Sequence, residues 1–145
     1  MRRNGFTLIE MMMVVVVTGL IMLVAFPRVR SGMIKSSIRS ARSDIVTMHA
    51  RARNAAVQQG KATYLVFNGN SAVVLMRIAP GNGAWADTLG GVQDLADKYG
   101  VSLTVTENML AFDPRGFGLV GGDVYIRRSG YADTITVSGF GRVVQ

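Results

Sequence analysis

From Phe6 to Phe26 the chain runs through 21 residues broken only by Thr7, Glu10, Thr18 and Gly19. As a helix this stretch is about 31 Å long, enough to cross a bilayer core of about 30 Å. Its single acid, Glu10, is the anomaly. A charged side chain at the centre of a membrane helix costs roughly 2.5–3.5 kcal/mol on insertion scales. A plain anchor has no use for that cost. The placement implies that a partner for the carboxylate arrives only when subunits meet. A basic head, Met1 to Gly5 with Arg2 and Arg3, precedes the run. A secretory signal has a shorter apolar core and a small-x-small cleavage site, and neither is found here. Arg28, Arg30, Lys35, Arg39 and Arg42 follow the run. A simple positive-inside count would then reverse the topology, but long domains translocate largely regardless of charge.

Beyond Pro27 remain 118 of the 145 residues, room for one modest domain. There is no cysteine, so an exported domain would rest on packing without a disulfide. The formal net charge is +7, and removal of Arg2 and Arg3 would lower it to +5.

Helical periodicity resumes after Pro27, where a kink is expected. Ile34, Ile38, Ala41, Ile45, Met48, Ala52 and Ala55 form one stripe at alternating spacings of four and three. A helix from Phe6 to Gln59, about 80 Å long, would end with Gly60 as its cap. The period then changes to two. Strands are expected at Ala62–Phe67 and Ala72–Ile78, joined through Asn68-Gly69-Asn70-Ser71. Ala79–Gly100 reads as a long loop, with a short helical turn at Val92–Tyr99. Further strands are expected at Val101–Glu107, Leu110–Phe112, Val124–Arg128 and Thr134–Ser138, with a terminal one around Arg142–Val144. The fold class is α+β: a long N-terminal helix whose second half packs its stripe on one face of an antiparallel sheet.

The segment Gly5-Phe6-Thr7-Leu8-Ile9-Glu10 resembles the leader of the type IV prepilins and type II secretion pseudopilins. The resemblance implies that a prepilin peptidase cuts between Gly5 and Phe6 and methylates the amine of Phe6. It also implies that Glu10 neutralises the terminal amine of a neighbouring subunit during assembly. The implied organisation is a leader over 1–5, a transmembrane and filament-core helix over 6–27, an amphipathic helix over 28–60 and a periplasmic antiparallel β domain over 61–145. Residues 50–145 narrow the likeness. Ala50-Arg51, Ala55-Ala56-Val57, Gly60, Leu110-Ala-Phe-Asp-Pro-Arg-Gly116 and Ile135 to Val143 are similar to the GspH/FimT group of minor pseudopilins and minor pilins. That group implies other pilin subunits, an assembly platform and the inner membrane as partners, and no cofactor. Many pilins carry a C-terminal disulfide, and this chain departs from them there. The tip-most pseudopilins lack the carboxylate that this chain keeps as Glu10.

No catalytic constellation stands out. The single histidine, His49, has no Ser or Asp at a triad spacing, and a lone helical histidine reads as a surface or packing residue. The aspartates are scattered without metal-loop spacing, so no metal is expected. Gly116-Phe-Gly-Leu-Val-Gly121 matches G-x-G-x-x-G, but a dinucleotide site needs a strand before and a helix after it. Its glycines are read as a mobile loop between strands. Arg115, Arg127, Arg128 and Arg142, interleaved with Tyr125, Tyr131 and Phe140, form a candidate nucleic-acid surface. The family likeness adds double-stranded DNA as a partner, because FimT-type pilins bind DNA through a C-terminal Gly-Arg-x-Arg-like stretch. Gly141 and Arg142 match its start, and Val144 replaces the second arginine. The alternative is a strand edge kept soluble by arginine. Arg28, Arg30 and Lys35 are assigned to the membrane surface or to acidic patches on neighbours.

Overall fold

The computed structural model describes residues 6–77 and 85–144, with residues 85–87 as backbone only. The chain divides after Ile34 into two compact units, one over residues 1–34 and one over residues 35–145. Helix α1 runs from Leu8 to Gln59 and is continuous through Pro27. It starts two residues later than expected because Thr7 caps it. Pro27 has no N–H, so the carbonyl of Leu23 loses its helical donor. Gly60, at φ +61°, ends the helix in the left-handed conformation that glycine adopts without strain.

Residues 6–30 are exposed throughout, and the most apolar 18-residue window of the helix has a mean hydropathy of 2.6. The Thr18 hydroxyl donates to the Val14 carbonyl at 2.7 Å, which satisfies it within the helix.

In the second unit α1 becomes one-sided. Ile38, Ala41, Ile45, Met48, His49, Ala52 and Ala56 are buried. The stripe therefore follows the expected spacing from Ile38 to Ala52, with Ile34 only half-buried, then takes in Ala56 where Ala55 is expected, and it includes His49. Among the described residues this unit also holds a short helix and nine strands, the strands lying in two sheets rather than one. The first sheet has the order β3-β2-β1-β6, with β4 also on β2. Its strands are β1 (Thr63–Asn68), β2 (Ser71–Arg77), β3 (Trp85–Thr88), β4 (Gln93–Asp94) and β6 (Met109–Phe112). The second has the order β5-β7-β8-β9, from β5 (Ser102–Val105), β7 (Gly122–Arg128), β8 (Tyr131–Val137) and β9 (Val143–Val144). Every strand pair is antiparallel. Alternate residues point inward as the pleat requires: Thr63, Leu65 and Phe67 on β1, Val124 and Ile126 on β7, Ile135 and Val137 on β8. The buried Thr63 hydroxyl donates to the Ala52 carbonyl of α1 at 2.6 Å.

The expected loop over Ala79–Gly100 is corrected at two places, the helical turn expected within Val92–Tyr99 forms, and residues 78–84, with Ile78 of the second expected strand, lie outside the described residues. Trp85–Thr88 forms β3 on the edge of β2, Gln93–Asp94 forms β4, and α2 spans Leu95–Tyr99. Helix α2 is short but closed at both ends. The Asp94 carboxylate accepts from the N–H groups of Ala96 and Asp97 at 2.8 and 3.0 Å, and Gly100 ends it at φ +64°. The Asn68–Ser71 hairpin forms as expected. Its Asn70 side chain accepts from the Leu103 N–H at 2.8 Å, which ties the first sheet to β5 of the second.

Candidate functional site

At its start, α1 carries a cap that the sequence spelled out. Thr7 Oγ1 accepts from the Glu10 N–H at 3.3 Å, and the Thr7 carbonyl accepts from Met11 N–H at 3.2 Å. Thr7-x-x-Glu10 is the spacing of a capping box, a signal the motif reading passed over. Glu10 thus sits in the first turn, where the helix dipole favours a negative charge. No ion pair involves it among the described residues. Around it Phe6, Leu8, Ile9 and Met11 to Val17 are all exposed. Among the described residues, Glu10 is thus an acid without an ion pair on an exposed apolar stretch. Gly5 lies outside the described residues.

The four candidate arginines do not form one surface. Arg127 and Arg128 end β7, beside the β7–β8 turn. The Arg128 guanidinium donates to the Ser37 hydroxyl of α1 and to the Tyr99 carbonyl of α2, so it clamps three elements together and is spent on the fold. Arg127 is exposed. Arg115 belongs to a turn over 113–117, where Asp113 Oδ1 accepts from the N–H groups of Arg115 and Phe117 at 2.9 and 2.7 Å. This turn packs at the other end of α1, with an ideal Cβ on Gly116 only 2.7 Å from Val57 and 3.5 Å from Arg53. From Ser37 to Arg53 is sixteen helical residues, or about 24 Å. Arg142 lies at the Arg115 end, because Gly118 packs directly on the Gly141 backbone. Arg53, Arg115 and Arg142 thus lie at one end of the unit, and Arg127 and Arg128 at the other. Two aromatic rings border this group: Phe117, 55% exposed, and Phe140, 82% exposed.

The glycine-rich segment is no mobile loop. Leu119 N–H donates to the Ala111 carbonyl at 2.9 Å, Asp113 N–H donates to Phe117, and Gly118 bridges Phe112. Its glycines are there for close backbone approach.

His49 is a packing residue. It is buried, with its ring edge-on to Phe112 at 5.0 Å between centroids. Burial holds its pKa below the ordinary value, and the nearby Arg53 charge adds to this. Asp44 shows the opposite balance: burial pushes its carboxyl up, but hydrogen bonds from Lys98 and Tyr99 and the charges of Lys98 and Arg51 bring it net below the usual range. These shifts act in separate pH windows. His49 is depressed when folded, so its contribution is intact above about pH 6.5 and is lost as pH falls through the folded-state value. That of Asp44 is lost only below about pH 4. The melting temperature is expected to fall between pH 7.5 and 5, and His49→Leu is expected to flatten that slope. An unchanged slope in thermal denaturation would refute the assignment. Among the described residues no cluster of three or more His, Cys, Asp or Glu could hold a metal.

Known proteins agree with this geometry. Residues 1–26 match the family described as the prokaryotic N-terminal methylation motif. The fold is similar to the type IV minor pilin FimU of Pseudomonas aeruginosa (strain PAO1). In one crystal form of FimU the identity is 19%, with 76% of this chain and 88% of that chain covered and a TM-score of 0.61. In a second crystal form the values are 18%, 73%, 90% and 0.53. No curated protein sequence matches the chain. A long N-terminal helix packed on antiparallel sheets is the type IV pilin fold. The chain thus carries the N-terminal methylation motif over residues 1–26 together with the fold of a type IV minor pilin.

Proposed function

We propose that the chain is a minor pilin or pseudopilin of the GspH/FimT kind, a filament subunit and not an enzyme. One observation carries this reading: an exposed apolar stretch over residues 6–26 whose one acid, Glu10, lies in the first helical turn with no ion pair among the described residues. Residues 6–27 hold the precursor in the inner membrane, with 28–60 and the β domain over 61–145 in the periplasm. A prepilin peptidase removes residues 1–5 and methylates Phe6. The assembly platform then transfers the helix from lipid into the filament core, where helix–helix contacts replace lipid contacts and Glu10 pairs with a neighbour's terminal amine. In a low-dielectric bundle such a pair attracts strongly, whereas either charge alone is penalised. Mass spectrometry of the native polypeptide tests the reading. A chain beginning at methylated Phe6 is the expected result, and an intact Met1 to Gly5 overturns it. Whether the filament serves secretion or a pilus is read from what a deletion strain loses, exported protein or surface fibres.

A second reading, DNA capture by a minor pilin, draws on the grouping of Arg53, Arg115 and Arg142 with Phe117 and Phe140. Cations bordered by exposed aromatics suit a nucleic-acid backbone and bases. Arg115→Gln and Arg142→Gln are each expected to weaken double-stranded DNA binding about five- to tenfold and to lower the salt slope by about one. Arg127→Gln should leave both unchanged. A wild-type chain showing no salt-sensitive retardation of DNA excludes this reading.

A further inference from the structure

The end of the second unit where α1 enters it carries a basic surface that the filament reading does not use. The β7–β8 turn runs Arg128-Ser129-Gly130-Tyr131, with Ser129 at φ +46° and Gly130 at φ +83°. Lys35 Nζ lies over the Tyr131 ring, 5.3 Å from its centroid. Arg39 and Arg127 are exposed. Seven residues on from Lys35, Arg42 Nη1 contacts both carboxylate oxygens of Asp133, at 2.8 and 3.1 Å. Lys35, Arg39 and Arg42 are spaced i, i+4 and i+7, so they share one helix face along the start of β8. A cavity of about 260 Å³ opens between Ser102, Arg127, Ser129, Gly130 and Tyr131.

The charges at this end do not cancel. Asp133 is occupied by Arg42, and Asp44 by Lys98 and Tyr99. No ion pair among the described residues holds Lys35, Arg39 or Arg127. What remains is Lys35 and Arg127 beside a half-exposed tyrosine, with Arg39 one turn on from Lys35, the composition that membrane interfaces favour. The tether is also short. Nine residue steps lead from Phe26 to Lys35, about 14 Å of chain at the helical rise. The headgroup layer beyond the hydrocarbon is itself some 5–7 Å deep.

We propose that the β7–β8 turn and the facing Lys35 and Arg39 dock on the anionic phospholipid headgroups of the membrane that holds Phe6–Phe26. The Arg127 cavity receives a lipid phosphate, and Tyr131 sits at headgroup level. This inference rests on the membrane-spanning reading of Phe6–Phe26. The contact holds the precursor's β domain against the bilayer before assembly. Its release accompanies transfer of the helix into the filament.

The absence of native cysteine allows a single reporter thiol. Ser129→Cys is labelled with an environment-sensitive fluorophore in the full-length chain. The chain is then reconstituted into vesicles of neutral phosphatidylcholine or of phosphatidylcholine with about one-third phosphatidylglycerol. A headgroup spin-labelled lipid serves as quencher. Each cation near an anionic surface raises partitioning about fivefold. Ser129→Cys should therefore be quenched severalfold more in anionic than in neutral vesicles. Raising the salt to about 0.5 M, where the Debye length falls to a few ångströms, should abolish the difference, as should combining Lys35→Gln, Arg39→Gln and Arg127→Gln. A label on Phe140→Cys, at the far end of the unit, should show little quenching in either vesicle. Equal quenching of Ser129→Cys in both vesicle types, or equal quenching at the two label positions, overturns the proposal. Flotation in high salt separates the two readings. A chain that floats with vesicles while Ser129→Cys is unaffected by lipid charge refutes the docking alone. A chain that fails to float refutes the spanning helix, and the docking with it.

Discussion

A Glu10→Ala chain is expected to be cleaved and methylated normally and to be at least about tenfold depleted from filaments. The proposed scissile bond, between Gly5 and Phe6, precedes the substituted side chain by five residues, so processing should proceed. Assembly is different. In lipid the carboxylate is a liability of roughly 2.5–3.5 kcal/mol. Paired with an ammonium at about 4 Å it gains on the order of 4 kcal/mol even at an effective dielectric of 20. Alanine removes the liability from the membrane-held subunit and the gain from the assembled one. Both changes shift the equilibrium towards the bilayer, and 1.4 kcal/mol already suffices for tenfold. Glu10→Gln separates charge from shape, because it keeps the Thr7-capped first turn and loses only the ion. It should be depleted nearly as strongly as alanine, and Glu10→Asp less. Immunoblots of sheared filaments against whole-cell levels read the outcome. Wild-type amounts of Glu10→Ala in the filament would refute the charge pair.

The parts that local pattern controls could be read from the chain. The apolar run, the stripe from Ile38 to Ala52, the Asn68–Ser71 hairpin and Gly60 as a cap all follow from spacing and from residue types with special backbone freedom. The parts decided by distant partners could not. Trp85–Thr88 is short, and it follows a Pro-Gly-Asn-Gly stretch that reads as a loop. It is a strand because the edge of β2 was open to it. The division into two sheets is likewise invisible locally, since β6 joins β1 across more than forty residues while β5 joins β7. The arginine group failed for the same reason. Arg127 and Arg142 are fifteen residues apart in sequence. A hairpin sends the chain back down β8, so they lie at opposite ends of the unit. His49 and Phe112 meet only because α1 crosses β6. The Thr7–Glu10 cap is the exception. It is spelled out as a capping box, Thr7-x-x-Glu10, within the same residues that carry the methylation motif.

Gly118→Val is expected to destabilise the β domain by about 3 kcal/mol or more. An ideal Cβ at Gly118 would stand 2.4 Å from Gly141 N, 2.6 Å from Gly141 Cα and 3.0 Å from the Phe140 carbonyl carbon. All three neighbours are backbone, so no side-chain rotation can make room. Relief requires the segments 113–121 and 139–142 to part, and this would break the hydrogen bonds that bind Leu119 to Ala111 and Arg142 to Ser138. Against a total stability of about 5–15 kcal/mol, the melting temperature should fall by some 12 °C or more. Gly121→Val should act alike, because its Cβ would meet Gly139 N and the Val137 carbonyl oxygen, each at 2.6 Å. The control lies in the same segment: Gly139 has nothing within 4 Å of an ideal Cβ, so Gly139→Ala should melt within a few degrees of the parent. If Gly118→Val melts with Gly139→Ala, the two segments are not in contact. The joining of Arg115 to Arg142 would then fall as well, because the Gly118–Gly141 contact is what brings those two arginines to one surface.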